Sequence, residues 1–289
     1  MMIIPPIKIQ GKKTKLVPKI KEIADLLIES HKDITTWVEP FLGSGVVAFN
    51  CPKRIQKVIC NDINPHIIKF YKAIADKTVT AENIKEIFSQ HSQRLLKDGY
   101  DYYNEVKDRF NISFETMDFL FLTRTGFNGV MRFNSSGKWN VPFCKLNDRL
   151  SQKVISDLSS SVDELSKLFS EKEYVFYNTS FEEIIKSAPD HSLFYCDPPY
   201  YGLQTQYYKG WGKENEVCLR SLLQDKIFIY STWLNDGHRD NPMINELWKD
   251  YEIEGKTHKY NVAEQSHQRK QIIEGLIYTR LSDSPYALF

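Results

Sequence analysis

Two kinds of apolar pattern alternate along the first quarter of the chain. Residues 15–30 carry leucine and isoleucine at helical spacing with charges between them, which predicts an amphipathic helix. Residues 35–41 and 57–61 are short apolar runs and predict two buried strands. A second helix is predicted after the Asn64-Pro65 pair and through about residue 75. Strand, turn, helix and strand in this order are typical of a βαβ unit and therefore of a parallel sheet.

The pattern changes after residue 80. Residues 80–121 are helical and charged, whereas residues 123–149 are polar and rich in glycine and asparagine, which predicts a loop region. Strands are predicted again at residues 174–178, 192–196 and 226–231, and helices at residues 181–188 and 214–223. The late segments 251–260 and 275–281 predict an antiparallel pair of strands at the edge of the sheet.

These elements predict an α/β fold class in which an inserted module interrupts the sheet domain. We assign residues 1–79 and 171–289 to the sheet domain and residues 80–170 to the inserted, mostly helical module. The chain has 289 residues, of which 42% are hydrophobic and 26% are charged. These values are typical of globular proteins and disfavour disorder, collagen-like repeats and coiled coils.

The cysteines and the apolar runs indicate the cellular setting. The five cysteines are odd in number and form no CxxC pair, which argues against a disulfide framework and against a cysteine-rich zinc site. We therefore expect no metal and a reducing, cytoplasmic compartment. No apolar run approaches the roughly 18 residues of a membrane helix, and the first segment becomes charged too early for a signal peptide. A soluble protein is expected.

Charge is distributed unevenly although it nearly balances. The chain has 38 basic and 37 acidic residues, a net charge of +1. Residues 1–21 contain six lysines and no acid, and residues 119–147 contain four basic residues and no acid. Acid-free basic segments in a balanced chain indicate a surface for phosphates. For the first segment alone, a solvated lysine face explains the pattern equally well.

The most specific motif is Asp197-Pro198-Pro199-Tyr200, which directly follows an apolar strand pattern. Ligands bind beyond the carboxyl ends of parallel strands, so this turn is expected to face a site. Its chemistry suits methylation of an exocyclic aromatic amine, because the Asp197 carboxylate and the Pro198 carbonyl accept the amine hydrogens and localise the nitrogen lone pair. Tyr200 stacks on the ring and orients the nitrogen. A base in a duplex must be flipped out to reach such a turn.

A second motif, EPFLGSG at residues 39–45, ends the first predicted strand and precedes an apolar helix start at residues 46–49. Alone, a glycine turn after a strand is a weak signal. Asp62 strengthens it, because a carboxylate about 20 residues further on, at the end of the next strand, suits ribose hydroxyls. The two features predict an adenosine-containing cofactor. The patterns GxGxxG and GxxxxGK[ST] do not occur, which disfavours hydride transfer and ATP hydrolysis.

These motifs resemble those of the Dam-type, adenine-specific DNA methyltransferases, the α group of amino-methyltransferases that use S-adenosylmethionine. The resemblance covers residues 6–279 and rests on the segments PPIKIQGKKTKLVP, WVEPFLGSGVVAFN, DFLFLTRTGFNGVMRFNSSGKWNVPFCK and YCDPPY. It implies a Rossmann-like methyltransferase sheet, with residues 80–170 as an inserted DNA-recognition domain. It also implies methyl transfer from S-adenosylmethionine to the N6 amine of adenine in double-stranded DNA.

The resemblance also implies a set of cofactor-binding residues. The set is Gln10, Lys13, Glu39, Phe41, Gly43, Asp62, Ile63, Ser180, Phe181 and Asp197. In it, Lys13 is placed at the cofactor carboxylate, Asp62 at the ribose, and Asp197 at both the cofactor amino group and the target amine. Many family members have an aromatic residue where this chain has Ile9. A stacking contact on the cofactor is then either lost or supplied by Phe181.

A second implied set contacts DNA. The set is Lys8, Arg124, Phe127, Asn128, Arg132, Asn134 and Lys138. Lys8 resembles a family lysine that contacts guanine, and Arg132 an arginine that recognises a base, which fits the acceptor-rich major-groove edge of guanine. Phe127 resembles an aromatic residue that is inserted into the base stack, with filling of the loop core as the alternative. Arg124 and Lys138 are expected to contact phosphates.

Several alternatives stay open at this level. The same turn suits the cytosine amine or an RNA adenine, and the scaffold is compatible with an inactive DNA-binding protein. Aspartate before Pro-Pro favours adenine, and the intact turn, Asp62 and Lys13 favour an enzyme. The resemblance suggests a site beginning 5′-GAT, such as GATC or GATATC, and a modification enzyme, encoded by a bacterium, archaeon or phage, with a separate cognate endonuclease. Residues 266–274 resemble a late family segment whose role the sequence does not indicate.

Overall fold

The structure, a computed structural model, describes residues 2–202, 211–259 and 271–281. The chain forms two compact units. The first comprises Met1–Thr14, Gly43–Asn50 and Asn64–Asn178, and the second comprises Lys15–Leu42, Cys51–Ile63 and Thr179–Phe289. The predicted module of residues 80–170 belongs to the first unit, together with residues 1–14, 43–50, 64–79 and 171–178. The assignment of residues 1–79 and 171–289 to one domain stays a prediction.

The described residues form seven strands, and all of them except β3 belong to the second unit, where they form a mostly parallel sheet. The strands are β1 (Thr36–Glu39), β2 (Lys57–Asn61), β3 (Glu173–Tyr177), β4 (Ser192–Cys196), β5 (Ile227–Asn235), β6 (Glu252–Lys259) and β7 (Gln271–Tyr278). In the second unit their order is β2-β1-β4-β5-β7-β6. The pairs from β2 to β5 are parallel, and β7 pairs antiparallel with both β5 and β6. The predicted α/β fold and the antiparallel edge pair are therefore confirmed.

Burial explains why the parallel strands have few polar residues. All four residues of β1 and all five of β4 are buried, as expected for strands that are covered on both faces. Side chains from β1, β2, β4, β5 and β7 pack with those of α6 and α7 in one hydrophobic core. Phe41, Phe181 and Trp211, which lie at the border of this core, are partly buried against it.

Most of the helices follow predicted segments, whereas the helix of residues 152–171 was not predicted as a separate element. The helices are α1 (Val17–Ser30), α2 (Pro65–Ala75), α3 (Ala81–Ser113), α4 (Thr116–Thr125), α5 (Gln152–Glu171), α6 (Phe181–Ser187) and α7 (Lys213–Leu223). Local signals start two of them: Asn64 caps α2 ahead of a proline, and Thr80 forms a capping box with Asn83 in α3. Within the described ranges, no helix is long and apolar enough to cross a membrane.

The helix that was predicted to start at residues 46–49 is absent as an α-helix. A single 3-10 turn, Ala48–Asn50, occupies this segment. Pro52 disfavours helical backbone at the residue before it, so the turn ends there. Gly45 has φ +73°, and a Cβ atom at this position would lie 2.2 Å from a ring carbon of Phe49. A glycine is therefore required for Phe49 to fold back over the turn.

The first unit has its own aromatic core. The ring of His66 packs with Phe110, Phe114, Phe119 and Phe133, at centroid distances of 5.0 to 5.6 Å. Burial lowers the pKa of His66 to about 4, so the imidazole is neutral at physiological pH. Because α2, α3, α4 and the loop after α4 each contribute a ring, this cluster fixes the loop against the helices.

Candidate active site

The carboxyl ends of three neighbouring parallel strands carry the polar residues that the motifs predicted. Glu39 ends β1. Asn61 ends β2, and Asp62 follows it. Cys196 ends β4, and Asp197 follows it. Because β1 pairs with both β2 and β4, these residues lie along one edge of the sheet. This is the edge at which parallel sheets bind ligands.

Glu39 is a buried carboxylate at the centre of this edge. Its side chain is 2% exposed and accepts a hydrogen bond from Trp37 Nε1 at 3.3 Å. Burial, followed by the charge of Glu39, raises the pKa of the thiols of Cys60 and Cys196. The charge of Asp197 also raises the pKa of Cys196. Two carboxylates thus act on the end of β4, a setting that favours a cationic ligand.

Asn61 ties two loops of this edge to the sheet, a role that the sequence did not indicate. Its main-chain carbonyl accepts from Leu42 N at 2.8 Å. Its Nδ2 donates to Pro40 O at 3.0 Å and to Thr179 O at 3.1 Å, and its Oδ1 accepts from Thr179 N at 3.0 Å. One side chain therefore joins the turn after β1 to the start of α6. The only feature of the sequence that could have pointed to Asn61 is its position directly before Asp62.

Three aromatic rings pack together in the second unit. Phe41 lies 5.3 Å from Phe181 and 5.4 Å from Trp211, and Phe181 lies 5.3 Å from Trp211, between ring centroids. All three are partly buried, so part of their surface is accessible. Such rings suit a planar ligand, because aromatic groups stack or pack edge to face at these distances. Phe41 and Phe181 were predicted cofactor residues, whereas Trp211 follows a stretch with no periodic pattern and was missed.

A buried carboxylate holds Trp211 in place. Trp211 Nε1 donates to Glu216 Oε1 at 2.8 Å, and the Tyr230 hydroxyl donates to the same carboxylate at 3.0 and 3.1 Å. Glu216 is 1% exposed, and burial raises its pKa. Burial also raises the pKa of Tyr230. Two neutral donors thus stabilise one buried acid, and the indole is fixed in one orientation.

The Asp197-Pro198-Pro199-Tyr200 turn is attached to the antiparallel side of the sheet. Its first proline is buried, and its other residues are half-buried. The Tyr200 hydroxyl donates to Glu274 Oε1 at 2.9 Å. The carbonyl of the next residue, Tyr201, accepts from Trp233 Nε1 at 2.7 Å. Two strands, β5 and β7, therefore fix the direction in which the chain leaves the turn.

The remaining predicted cofactor residues of the second unit lie beside the strand ends. Ser180 caps α6, and its hydroxyl accepts from Glu183 N at 3.2 Å. Asp62 is 6% exposed, whereas the side chain of Ile63 is 62% exposed. Ile63 is therefore accessible to a ligand, whereas the neighbouring carboxylate of Asp62 is buried.

Three predicted cofactor residues belong to the first unit. Lys13 is 6% exposed, and its Nζ donates to Gly11 O at 2.9 Å. Gly43 has φ +51°, and a Cβ atom there would meet no atom within 4 Å. Gln10 donates through Nε2 to Asn128 O at 3.1 Å and through its main-chain N to Gly129 O at 3.1 Å. These contacts join Gln10 to the loop of the predicted DNA interface, and its role toward the cofactor stays a prediction.

The loop of residues 126–145 is anchored on α3. Trp139 Nε1 donates to the Tyr103 hydroxyl at 3.0 Å, and that hydroxyl donates to Val141 O at 2.7 Å. The Asn111 side chain accepts from Trp139 N at 2.7 Å and donates to Trp139 O at 3.2 Å. Polar bonds from a helix to loop backbone hold an irregular segment in one conformation. The loop therefore presents its exposed side chains from a fixed support.

Of the two predicted base-contacting residues, Arg132 lies in this loop and Lys8 lies in the amino-terminal segment. Arg132 donates through Nε to Asn140 Oδ1 at 2.8 Å and through Nη2 to Asn140 O at 3.1 Å. Asn140 was not identified from the sequence and orients the guanidinium. Asn134 Oδ1 accepts from Ser136 N at 3.0 Å and from Lys138 N at 2.9 Å. Asn134 thus shapes the turn, and a direct DNA contact by this side chain stays a prediction.

The other predicted DNA-contacting residues of the loop face solvent. Phe127 is 41% exposed, so its ring does not fill the core of the first unit. Asn128 is exposed, with φ +50°. Lys138 is also exposed. An exposed phenylalanine on a fixed loop is available for insertion into a stack of bases.

Four basic residues form a group that we name the cation cluster: Lys8, Lys12, Arg124 and Arg149. Main-chain carbonyls hold three of these side chains in place. Arg124 Nη1 donates to Pro6 O at 3.4 Å, Lys12 Nζ donates to Pro5 O at 3.2 Å, and Arg149 Nε donates to Arg124 O at 3.3 Å. The sequence analysis did not identify Arg149 as a DNA-contacting residue, because it lies outside the loop motif that carries the resemblance.

Like charges in the cation cluster repel one another. The pKa of Lys8 is lowered to about 8 by burial and then by Arg149 and Arg124. Burial and Arg124 lower the pKa of Lys12 to about 8 as well. Among the described residues, no ion pair includes any of the four. Burial and then Arg149 lower the pKa of Arg124, and the nearby Asp157 partly offsets this shift. A half-buried group of unpaired cations favours an anionic ligand.

Metal chemistry has no visible site in the part of the chain that the structure describes. There, no group of three or more histidine, cysteine, aspartate or glutamate side chains is arranged to hold a metal ion. The ligand-binding features of the described residues are instead carboxylates, aromatic rings and cations.

A parallel sheet with an Asp-Pro-Pro-Tyr turn at its carboxyl edge defines an amino-methyltransferase. Residues 10–262 match the family model of the D12 class N6 adenine-specific DNA methyltransferases, and the chain belongs to this family. It is an adenine-specific DNA methyltransferase by class.

Curated relatives agree with the family. The chain is 25% identical to the type II methyltransferase M1.LlaDCHI of Lactococcus lactis subsp. cremoris, over 84% of each chain. It is 32% identical to the DNA adenine methylase of Haemophilus influenzae, over 58% of this chain and 56% of that protein. It is 29% identical to the retron Ec67 DNA adenine methylase of Escherichia coli, over 79% and 75%.

Proposed function

We propose that this chain transfers a methyl group from S-adenosylmethionine to the N6 amine of adenine within a specific sequence of double-stranded DNA. The observation that carries the proposal is the position of Asp197-Pro198-Pro199-Tyr200 directly after the buried strand β4. The motif places a carboxylate, a carbonyl and an aromatic ring at the ligand-binding edge of the sheet.

The turn activates and orients the target amine. The nitrogen lone pair of adenine is delocalised into the ring and is a poor nucleophile. The Asp197 carboxylate and the Pro198 carbonyl accept the two amine hydrogens, which favours the tetrahedral nitrogen of the transition state. Tyr200 stacks on the flipped base and holds the nitrogen in line for attack.

The donor set of the second unit fits S-adenosylmethionine, which supplies a methyl group on a sulfonium. Glu39 and Asp197 are carboxylates near the end of β4 and suit a cationic cofactor. Asp62, at the end of β2, suits the ribose hydroxyls. Phe181 suits the adenine ring, and Phe41 is proposed at the methionine end of the cofactor.

The first unit supplies the DNA contacts in this proposal. Lys8 and Arg132 recognise base edges in the major groove, where lysine and arginine match the acceptors of guanine. Phe127 is inserted into the base stack, which supports eversion of the adenine. Arg124 and Lys138 contact phosphates and set the register of the protein on the duplex.

The recognition sequence and the biological setting are the finer part of the proposal. Within the family, the quoted segments look most similar to the methyltransferase of the EcoRV restriction system, whose site is GATATC; this closer likeness remains a prediction. We propose a GAT-containing site and a role as the modification enzyme of a restriction-modification system, with a cognate endonuclease acting separately. The name of M1.LlaDCHI, a type II methyltransferase, supports this setting.

Mapping of methylated bases tests the function directly. The chain is expressed in cells that lack other adenine methyltransferases, and their DNA is analysed by single-molecule sequencing and by protection from restriction enzymes. N6-methyladenine within one GAT-containing sequence is the expected result. N4-methylcytosine, methylation of RNA alone, or unmodified DNA despite cofactor binding would contradict the proposal and favour the cytosine, RNA or inactive alternative.

Two arginine and lysine variants separate base recognition from phosphate contact. Arg132→Ala is expected to relax base choice at one position by about 1–3 kcal/mol, because it removes a direct contact with a base edge. Lys138→Ala is expected to weaken binding to all duplexes alike. Binding to cognate and single-substituted duplexes, measured by fluorescence anisotropy, checks both. An equal loss on cognate and random DNA for Arg132→Ala would refute its role in recognition.

DNA binding is expected to weaken as pH rises from 7 to 9. In the free protein Lys8 and Lys12 have pKa values of about 8. Bound DNA raises both values through its base acceptors and phosphates, so binding takes up protons in this range, and affinity falls about tenfold per lysine at pH 9 relative to pH 7. Anisotropy across this pH range, and calorimetry in buffers of different ionisation enthalpy, measure the effect.

The matched variant for this pH dependence is Lys12→Arg. Arginine keeps its charge throughout the range, so the variant is expected to lose the share of the pH dependence that Lys12 contributes. Affinity that is constant between pH 7 and pH 9 for the unmodified chain would show that the cation cluster does not contact DNA.

A further inference from the structure

Glu274 connects the antiparallel side of the sheet to the Asp197-Pro198-Pro199-Tyr200 turn. It lies on β7 and is 2% exposed. Its Oε1 accepts a hydrogen bond from the Tyr200 hydroxyl at 2.9 Å. The late segment of residues 266–274 had no predicted role, and residues 266–270 lie outside the described residues. Glu274 is the last residue of this segment, and the motifs did not indicate its hydrogen bond with Tyr200.

The register of the strands shows how this contact is made. Glu274 on β7 is paired with Trp233 on β5. Ser231 lies two residues before Trp233 on the same strand, and its Oγ is 3.5 Å from the Tyr200 hydroxyl. Alternate residues of a strand point to the same face. Glu274 and Ser231 thus meet the phenol from adjacent strands, while Trp233 bonds the carbonyl of Tyr201.

The buried carboxylate of Glu274 is suited to hold the Tyr200 hydroxyl in one position. Removing an acid from water has a large free-energy cost unless hydrogen bonds compensate for it. A hydroxyl that donates to a carboxylate forms a bond roughly twice as strong as one between neutral groups. The side chain of Tyr200 rotates about two bonds, and the bond to Glu274 selects one of the resulting positions of its ring.

We propose that Glu274 is a positioning residue that fixes the ring of Tyr200 for stacking against the flipped adenine. This proposal rests on the proposed function. Glu274 does not touch the reacting atoms; it acts through the Tyr200 hydroxyl. Misplacement of a substrate-orienting group by about 1 Å costs up to roughly a hundredfold in rate, so a modest change at Glu274 has a measurable effect.

The test is a double-mutant cycle with Glu274→Gln, Tyr200→Phe and the double variant. Each single variant is expected to lower kcat about ten- to a hundredfold, with the KM for S-adenosylmethionine within about twofold of the unmodified value. Because Glu274 acts through the hydroxyl, the double variant is expected to be no slower than Tyr200→Phe alone. Effects that multiply, or a Tyr200→Phe variant with unchanged kcat, would overturn the proposal.

A second measurement reports the base itself. A duplex with 2-aminopurine at the target position fluoresces when the base is unstacked. In the complex with Glu274→Gln, the intensity is expected to rise above that of the unmodified complex, because the flipped base loses an ordered stacking partner. Tyr200→Phe is expected to raise it similarly. An unchanged intensity in both variants would contradict a positioning role.

The same pair of strands offers a matched control. The hydroxyl of Tyr278 on β7 donates to Glu254 Oε1 on β6 at 2.9 Å, so Glu254→Gln changes the same kind of bond away from the turn. Its kcat is expected to equal that of the unmodified chain. A thermal unfolding curve for each variant shows whether it folds. If Glu274→Gln does not fold, Tyr200→Phe, which retains the carboxylate, decides the outcome.

Failure of this proposal is distinguishable from failure of the proposed function. An unmodified chain that methylates no adenine overturns both. An active unmodified chain with multiplicative variant effects overturns only the role of Glu274.

Discussion

Replacing Asp197 with alanine is expected to lower the rate of methyl transfer by roughly 10³-fold while DNA affinity stays within about twofold of the unmodified chain. The carboxylate follows β4, the fully buried strand at the centre of the parallel region. It accepts an amine hydrogen most strongly when the nitrogen becomes tetrahedral, so its loss raises the barrier more than it weakens binding. Single-turnover methylation of a cognate duplex, with binding measured separately, checks the result.

The matched control for this variant is Asp225→Ala. Asp225 is exposed and precedes β5, at the opposite edge of the same sheet. Its replacement changes net charge by the same amount and is expected to leave the rate unchanged. Near-normal turnover of Asp197→Ala would remove this residue from the mechanism. An equal rate loss in both variants would point to a general effect of charge.

Replacing Asp62 with alanine is expected to weaken S-adenosylmethionine binding by roughly a hundredfold. Asp62 directly follows β2, beside the strand that ends at Glu39. Its carboxylate is proposed to accept from two ribose hydroxyls, and hydrogen bonds to charged groups contribute about 1.5 kcal/mol each, or about 3 kcal/mol together. Isothermal titration with the cofactor measures the change.

A control for Asp62→Ala is Asp33→Ala. Asp33 precedes β1, is 61% exposed and pairs with His191 at the other edge of the sheet. Its loss is expected to leave cofactor affinity unaltered. If the unmodified chain binds no cofactor, the inactive DNA-binding alternative is favoured. If Asp62→Ala binds the cofactor as tightly as the unmodified chain does, the ribose is held elsewhere.

Much of the fold and part of the site were predictable from local pattern. The strands at residues 57–61 and 192–196 have the predicted bounds, and the helix predicted after Asn64-Pro65 starts at Pro65 and ends at the expected residue 75. Asp62 and Asp197 lie at strand ends, as their sequence context indicated. Each of these features depends on residues close together in the chain, because helical and strand periodicity, caps and turns are short-range properties.

One local prediction was wrong for a local reason. Residues 46–49 have the apolar composition of a helix start, yet only a 3-10 turn forms there. The apolar side chains indicated burial correctly, since Val46, Val47, Ala48 and Phe49 are all buried. Composition alone did not distinguish a buried helix from a buried turn that Pro52 ends.

The sequence by itself determined the order of strands and helices along the chain, the acidic turn after β4 and the carboxylate after β2. Only the tertiary structure decided which distant side chains support them. Trp211 packs on Phe41 and Phe181, and Glu274 bonds Tyr200 across 74 positions of the chain. Such partners depend on the order and register in which strands pair and on how loops pack over their ends. No local periodicity encodes these, because each contact joins segments that become neighbours only when the sheet has formed.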